Sequence, residues 1–175
     1  MDRPSFAVFI AATLDGFIAR PDGRIDFLEP FMIPGEDYGY AAFSAQIDTH
    51  LVGRATYETV LGFPEWPYAG KRVAVWSRRG GTPGHGELFL AGSPAEVAAR
   101  LHAEGARRVY VDGGATISAF LAADLVDDLT VSILPRILGD GRRLFVPPIA
   151  DLGLELTGAT PYPSGLVQLR YRRPR

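Results

Sequence analysis

A long apolar run near the amino terminus limits what this chain can fold into more than any other feature of its sequence. Residues 6–13 are apolar up to the last position and show no polar alternation, which is typical of a strand buried on both faces of a mostly parallel sheet. Five later segments also carry apolar runs and are predicted as strands: residues 50–52, 71–77, 88–90, 109–111 and 129–134. The core is therefore predicted to be a sheet of buried, largely parallel strands.

Helix signals separate these strands. Ser93-Pro94-Ala95-Glu96 combines a Ser cap, Pro at the first helical position and Glu at the third, which is the signature of a helix start. The spacing of apolar residues predicts another helix over residues 37–47. Further helices are expected after Gly53 and after Gly113.

The end of the chain has a different pattern. Residues 154–157 and 167–171 alternate between apolar and polar positions and are separated by prolines and a glycine, which predicts a closing antiparallel hairpin. Together these patterns predict an α/β fold, a three-layer sandwich with a mostly parallel central sheet and a C-terminal antiparallel hairpin.

The length and composition exclude several classes of protein. A chain of 175 residues is predicted to form a single domain over residues 1–175. The absence of cysteine excludes disulfides and Cys-ligated metals, and the three scattered histidines lack metal-site spacing, so we expect no metal. A net charge of −2 argues against nucleic-acid binding, and no apolar run is long enough to span a membrane. We therefore expect a cytoplasmic protein.

Two glycine-containing turns lie where a predicted strand meets a predicted helix. They are Gly53-Arg54-Ala55-Thr56 and Gly113-Gly114-Ala115-Thr116. The start of a helix presents unpaired N–H groups, and glycine lets a phosphate approach the backbone there. Tight packing or a left-handed turn is the alternative explanation for each glycine.

A third candidate phosphate site follows the predicted strand that contains Trp76. Ser77-Arg78 places a hydroxyl and a guanidinium at the carboxyl end of this strand, which suits the 2′-phosphate of NADP. A solvated arginine is the alternative. The chain has no Gly-x-Gly-x-x-Gly motif after its first strand, which disfavours a standard Rossmann fold.

The order of these motifs resembles a known superfamily. Thr13-Leu14-Asp15-Gly16, Gly53-Arg54-x-Thr56-Tyr57-Glu58, Ser77-Arg78 and Val111-Asp112-Gly113-Gly114 are similar to motifs of the dihydrofolate reductases. Residues 133–145 resemble a segment of the reductase domain in bifunctional riboflavin-biosynthesis deaminase-reductases. The resemblance covers nearly the whole chain and implies a dihydrofolate-reductase-like fold that binds NADPH.

The same resemblance assigns cofactor contacts. It implies that Gly53, Arg54 and Thr56 contact the cofactor phosphates and that Ser77 and Arg78 bind the 2′-phosphate. The pyrophosphate is expected at Gly113, Gly114, Ala115 and Thr116. Ala12 and Thr13 are expected to border the nicotinamide, and a cis peptide is expected between Gly113 and Gly114.

The candidate substrate residues lie outside these turns. Asp15 and Asp37 are candidate catalytic carboxylates, and Tyr38 and Trp66 are candidate substrate contacts. Asp37 precedes Gly53 by sixteen residues, about where dihydrofolate reductases have their pterin-binding carboxylate. The alternatives are a turn aspartate for Asp15, a helix-cap aspartate for Asp37 and a packing tryptophan for Trp66.

The resemblance implies an NADPH-dependent reductase similar to 5-amino-6-(5-phosphoribosylamino)uracil reductase. Its small-molecule substrate would be a pyrimidine, a pterin or a carbonyl compound, and the protein would be a homodimer. A dihydrofolate reductase and a non-catalytic NADP-binding sensor module are the alternatives. The absence of cysteine excludes the zinc deaminase signature from this chain.

Overall fold

The computed structural model describes residues 3–174 and contains one eight-stranded sheet and one two-stranded ribbon. The strands are β1 (Ser5–Thr13), β2 (Phe17–Ala19), β3 (Thr49–Gly53), β4 (Arg72–Trp76), β5 (Leu88–Leu90), β6 (Arg108–Asp112), β7 (Val126–Leu134), β8 (Arg142–Arg143), β9 (Glu155–Pro161) and β10 (Val167–Arg172). The α-helices are α1 (Tyr40–Ala45), α2 (Arg54–Val60), α3 (Pro94–Ala103) and α4 (Gly114–Ala122), and a 3-10 helix covers Asp26–Phe31.

The strand order of the large sheet is β5-β4-β3-β6-β1-β7-β10-β9. The strands from β5 to β7 pair in parallel, and β10 pairs antiparallel with both β7 and β9. This arrangement confirms the predicted fold, a mostly parallel sheet with a C-terminal antiparallel hairpin. The carboxyl ends of β1, β3, β4 and β6 consequently lie along one edge of the sheet.

Each face of the sheet packs against a different set of helices, because successive side chains of a strand point to opposite faces. On one face Phe6 and Leu51 join Leu101 of α3 and Phe120 of α4 in the largest core cluster. On the other face Tyr110 packs with aromatic and aliphatic side chains around α1. The predicted three-layer arrangement follows from these two interfaces.

The predicted start of α3 is confirmed. Ser93 Oγ accepts a hydrogen bond from the Glu96 N–H at 3.3 Å, and the Glu96 carboxylate accepts one from the Ser93 N–H at 2.7 Å. This reciprocal pair is a capping box, which satisfies two backbone donors that the first turn of a helix leaves free.

Two local predictions were wrong. The helix predicted over residues 37–47 begins only at Tyr40, because Gly39 has a left-handed φ of +83° directly before it. The Gly113–Gly114 peptide is not cis, since the cis bond within residues 3–174 joins Pro147 and Pro148. Gly113 makes its turn with a φ of +94° instead.

The two-stranded ribbon pairs β2 with β8, with Phe17 opposite Arg143 and Ala19 opposite Arg142. The sequence did not predict β8. Within residues 3–174 the helices are all too short or too polar to cross a membrane.

Candidate functional site

A cavity of about 820 Å³ opens at the carboxyl edge of the central strands. Phe9, Ile10 and Ala11 of β1 form one wall, and Asp112 lies at the end of β6. In open α/β sheets this edge is the usual place for ligands. The two predicted phosphate-binding turns lie on the same cavity through Gly53, Arg54, Thr56, Gly113, Gly114, Ala115 and Thr116.

These two turns interlock across the sheet. A Cβ atom on Gly53 would lie 2.6 Å from Thr116 Oγ1, and one on Gly113 would lie 2.5 Å from Thr56 Oγ1. Each glycine is therefore needed to make room for the threonine of the other turn. This mutual packing places the first residues of α2 and α4 side by side on the cavity wall.

Gly114 has a further packing role. A Cβ atom on Gly114 would lie 2.1 Å from the main-chain carbonyl oxygen of Arg143. The glycine thus lets β8 approach the start of α4, and it brings Arg142 and Arg143 to the cavity lining.

Arg54 joins the first turn to the segment that follows β4. Its Nε donates to Ser77 Oγ at 3.2 Å, and its Nη2 donates to the carbonyl oxygens of Arg79 and Gly80 at 2.5 Å each. The guanidinium also lies over the ring of Phe89, 5.4 Å from its centroid. The structure therefore brings Arg54 and Ser77 together, while the neighbouring Arg78 is exposed to solvent.

Asp112 is the carboxyl group that faces the cavity without an ionic partner among the described residues. Burial raises its pKa from 3.8 to about 6, although a 2.8 Å hydrogen bond from the Gly113 N–H opposes this rise. Its charge raises the pKa of the phenols of Tyr40, Tyr68 and Tyr110 in turn, in each case after burial as the larger cause. A titratable carboxyl near neutral pH, surrounded by phenols, is suited to proton transfer.

The tyrosines around Asp112 are held in place by the sheet and by α1. Tyr110 donates a hydrogen bond from its hydroxyl to the Phe9 carbonyl oxygen at 2.6 Å. Behind it the buried ring of His50 packs against Tyr68 and Tyr110 at centroid distances of 4.7 and 5.2 Å. Burial and, to a smaller extent, the nearby Lys71 charge lower the pKa of His50 to about 4, so this imidazole is neutral at neutral pH.

Asp15 lies outside the cavity lining and has structural hydrogen bonds. Its carboxylate accepts from Thr13 Oγ1 at 2.6 Å and from the Leu138 and Gly139 N–H groups at 3.1 and 2.7 Å. Partial burial would raise its pKa, but these hydrogen bonds lower it to about 2. Asp15 therefore remains ionised at neutral pH and ties the end of β1 to the segment after β7.

Thr13 and Ala12 also lie beyond the cavity lining. Thr13 is fully buried and accepts a hydrogen bond from the Phe17 N–H at 3.0 Å. Ala12 belongs to the largest core cluster. The cavity wall is instead formed by the preceding residues of β1, which end at Ala11.

Asp37 and Tyr38 lie just before α1 and outside the cavity lining. The exposed Asp37 carboxylate accepts hydrogen bonds from the Gly39 and Ala41 N–H groups at 2.8 and 2.9 Å, and these bonds lower its pKa. Tyr38 donates from its hydroxyl to the Phe31 carbonyl oxygen at 2.8 Å. Both residues organise the loop before the helix.

Trp66 packs within the protein rather than on the cavity. Its ring stacks on His85 with centroids 4.2 Å apart and an interplanar angle of 9°. It also meets Tyr57 and Tyr68 edge to face. The indole thus supports Tyr68, which does line the cavity.

Sequence reasoning missed Asp112 as a functional residue. Its place was visible in the sequence, since Asp112 directly follows a predicted buried strand and precedes two glycines. Its raised pKa, however, comes from burial in the folded chain, which no local pattern reveals.

Several known proteins are similar to this chain in sequence and in fold. Residues 4–168 match the family model of the RibD C-terminal domain. The uncharacterised protein YwjB of Bacillus subtilis (strain 168) is 34% identical over 179 residues, covering 99% of this chain and 99% of YwjB. A crystal structure from Shewanella sp. PV-4, provisionally assigned to riboflavin biosynthesis, is 33% identical with a TM-score of 0.90 over 98% of this chain and 99% of the other.

A more distant structure shares the fold alone. The dihydrofolate reductase of Enterococcus faecalis, complexed with NADP(H) and RAB-propyl, superimposes with a TM-score of 0.70 at 18% identity. The match covers 99% of this chain and 100% of the reductase. The dihydrofolate-reductase-like fold inferred from the sequence is thereby confirmed.

Proposed function

Because the chain belongs to the RibD C-terminal domain family, we propose that it is an NADPH-dependent reductase with a small pyrimidine, pterin or carbonyl substrate. The observation that carries the proposal is Asp112, a carboxyl group whose pKa burial raises to about 6 on the cavity that both glycine turns border. A group that titrates near the working pH is the usual choice for acid catalysis.

The glycine turns fit the phosphates of a dinucleotide. At Gly53 and Gly113 a side chain would clash with a threonine hydroxyl, so the bare backbone lines the cavity there. Ala115 and Thr116 continue the second turn into α4, whose first N–H groups and positive dipole end favour an anion. The fold shared with a dihydrofolate reductase that is complexed with NADP(H) supports this cofactor.

Ser77, Arg78 and Arg54 are proposed to select NADP over NAD. Arg54 Nε already donates to Ser77 Oγ, which brings a guanidinium and a hydroxyl to the end of β4. Arg78 is exposed next to them and is available for a phosphate. Arginine is well suited to bidentate binding of such a group.

The residues around Asp112 are proposed to complete the reduction. When bound, NADPH supplies a hydride from C4 of its nicotinamide ring. Reduction of a carbonyl or imine leaves a basic oxygen or nitrogen, to which protonated Asp112 donates its proton. Tyr68 stays protonated and can orient the substrate as a hydrogen-bond donor, whereas the hydroxyl of Tyr110 donates to the Phe9 carbonyl oxygen.

The proposed substrate resembles that of 5-amino-6-(5-phosphoribosylamino)uracil reductase, in which a ribose is reduced to an open ribityl chain. Family membership supports this proposal, and the apolar wall formed by Phe9, Ala11 and Leu28 suits a planar heterocycle. The homodimer implied by the resemblance stays a prediction.

A direct assay tests the proposal. Purified protein is mixed with NADPH, and the loss of nicotinamide absorbance is followed with the ribosylaminouracil phosphate, with dihydrofolate and with simple carbonyl compounds. We expect turnover with at least one of these substrates and a large loss of kcat in Asp112→Asn. NADPH binding without oxidation in the presence of every substrate would instead support a non-catalytic sensor.

A further inference from the structure

A second compartment of about 730 Å³ adjoins the cavity. It lies between the loop after β2 and the outer side of α2. The two compartments have six lining residues in common: Gly23, Ile25, Ala55, Thr59, Phe63 and Arg142. A substrate whose reacting end faces Asp112 therefore has space to extend past Arg142.

Arg142 differs from the other arginines of these linings. Arg54 donates to Ser77 and to two carbonyl oxygens, Arg24 pairs with Asp22 at 2.6 Å, and Arg143 lies over the Phe17 ring at 5.0 Å. Within residues 3–174 the Arg142 guanidinium makes no ion pair, hydrogen bond or ring contact. Its N–H donors are therefore left for a ligand, and unlike Arg143 it lines both compartments.

Arg142 is exposed, and its backbone and guanidinium both lie against the β2 segment and the loop that follows it. Its backbone pairs with Ala19 in the β2–β8 ribbon. Its guanidinium lies against the buried backbone of Gly23, where an ideal Cβ would be 3.0 Å from Nη2 and 3.2 Å from Nη1. Because Gly23 has no side chain and a φ of +91°, the loop after β2 can close directly on the guanidinium.

The carboxylates near Arg142 are largely neutralised by other groups. Asp22 pairs with Arg24, and Asp26 forms two hydrogen bonds with Arg20 at 2.6 and 2.9 Å. Glu58 lies 3.9 Å from Arg54. Glu29 also lines the second compartment.

We propose that Arg142 binds an oxyanion, a carboxylate or a phosphate, at the end of the substrate remote from Asp112. A guanidinium presents two parallel N–H donors that match an oxyanion in geometry and charge. The inference rests on the proposed reductase function, since it takes Asp112 to face the reacting end. It makes Arg142 a determinant of which substrates this chain accepts.

The test compares ligands that differ in the oxyanion alone. Calorimetry without cofactor measures the binding of 5-amino-6-ribitylaminouracil and its 5′-phosphate, and of folate and its diamide. We expect at least one charged ligand to bind about 10- to 100-fold more tightly than its neutral counterpart. The phosphate pair and the carboxylate pair show which oxyanion is preferred.

Three variants assign that preference to a residue. Arg142→Gln is expected to abolish the preference for the charged ligand, and Arg142→Lys is expected to retain part of it. The matched control Arg143→Gln is expected to keep the wild-type ratio of the charged-ligand affinity to the neutral-ligand affinity. Thermal unfolding of each variant establishes that the fold is intact. An NADPH titration of Arg142→Gln is expected to show the wild-type affinity.

Three results would overturn the inference: no charged ligand preferred by the wild type, a preference that survives in Arg142→Gln, or a loss of NADPH affinity in that variant instead. None of them depends on turnover. Failure of the reductase proposal is recognised separately, by a wild-type protein that does not oxidise NADPH with any substrate.

Discussion

Asp112 ends β6 with a carboxyl group whose ionised form is disfavoured in the folded protein. Burial raises its pKa from 3.8 to about 6, so between these values the folded state binds more protons than the unfolded state. The free energy of unfolding therefore decreases as the pH rises through this window and reaches its lower level above about pH 6.

Asp112→Asn removes the free-energy cost of a buried, ionised carboxylate, because an amide cannot ionise. The variant is expected to be more stable than the wild type by about 1–3 kcal/mol at pH 8 and to gain much less at pH 4, while losing reductase activity. Urea unfolding at the two pH values measures the difference. An equal effect of the substitution at both pH values would contradict the raised pKa.

Asp37→Asn is the matched control with the opposite sign. Hydrogen bonds from the Ala41 and Gly39 N–H groups lower the pKa of Asp37, so its contribution to stability is present above its unfolded pKa and is lost as the pH falls. This variant is therefore expected to be less stable than the wild type at pH 8.

The individual residues show what a sequence reveals and what it does not. Asp37 was weighed as a helix-cap aspartate, and its hydrogen bonds from Gly39 and Ala41 are of that kind. Asp15 was weighed as a turn aspartate, but it accepts from Leu138 and Gly139, more than 120 positions away. Gly53 and Gly113 were recognised because a strand followed by glycine and a helix is a local pattern. The raised pKa of Asp112 arises from packing between distant segments and has no local signature.

At the scale of elements, the close contact between α4 and β8 shapes the site. Gly114 faces the main-chain carbonyl of Arg143 so closely that a Cβ atom would lie 2.1 Å from its oxygen. A backbone atom in a paired strand cannot move away as a flexible side chain would. The contact therefore fixes the distance between the second glycine turn and the ribbon that carries Arg142.

Gly114→Ala is expected to separate these elements. We expect a loss of about 1–3 kcal/mol in the free energy of unfolding together with weaker NADPH binding, measured by urea unfolding and by calorimetry. Gly153→Ala is the matched control, since a Cβ atom there has no neighbour within 4 Å. Equal stability of the two variants would show that α4 and β8 are not held by this contact.

The elements differ in how readily the sequence predicts them. Strands β1, β3 and β6 were predicted from apolar runs, and α3 from its capping box, because these signals are contained in a few consecutive residues. The ribbon strand β8 consists of Arg142 and Arg143 alone, which is too short and too polar to show a pattern. Its pairing is decided by Ala19 and Phe17, more than 120 positions earlier in the chain.

At the scale of the whole molecule, the parallel strand order brings the two glycine turns and Asp112 to one edge of the sheet. The sequence predicted this edge, since ligands of α/β proteins bind where parallel strands end. It did not predict the division of the cavity by Arg142, because that depends on how the loop after β2 closes over α2. In the proposed function the cofactor lies along the glycine turns and the substrate lies between Asp112 and Arg142.

A fluorescence titration can show whether this edge of the sheet binds NADPH. Trp76 lines the cavity, and in a Trp66→Phe variant it is the sole tryptophan of the chain. NADPH is expected to quench its fluorescence in a saturable manner at lower concentrations than NADH, and Arg78→Ala is expected to reduce that difference. Absence of saturable quenching by NADPH, confirmed by calorimetry, would contradict the account.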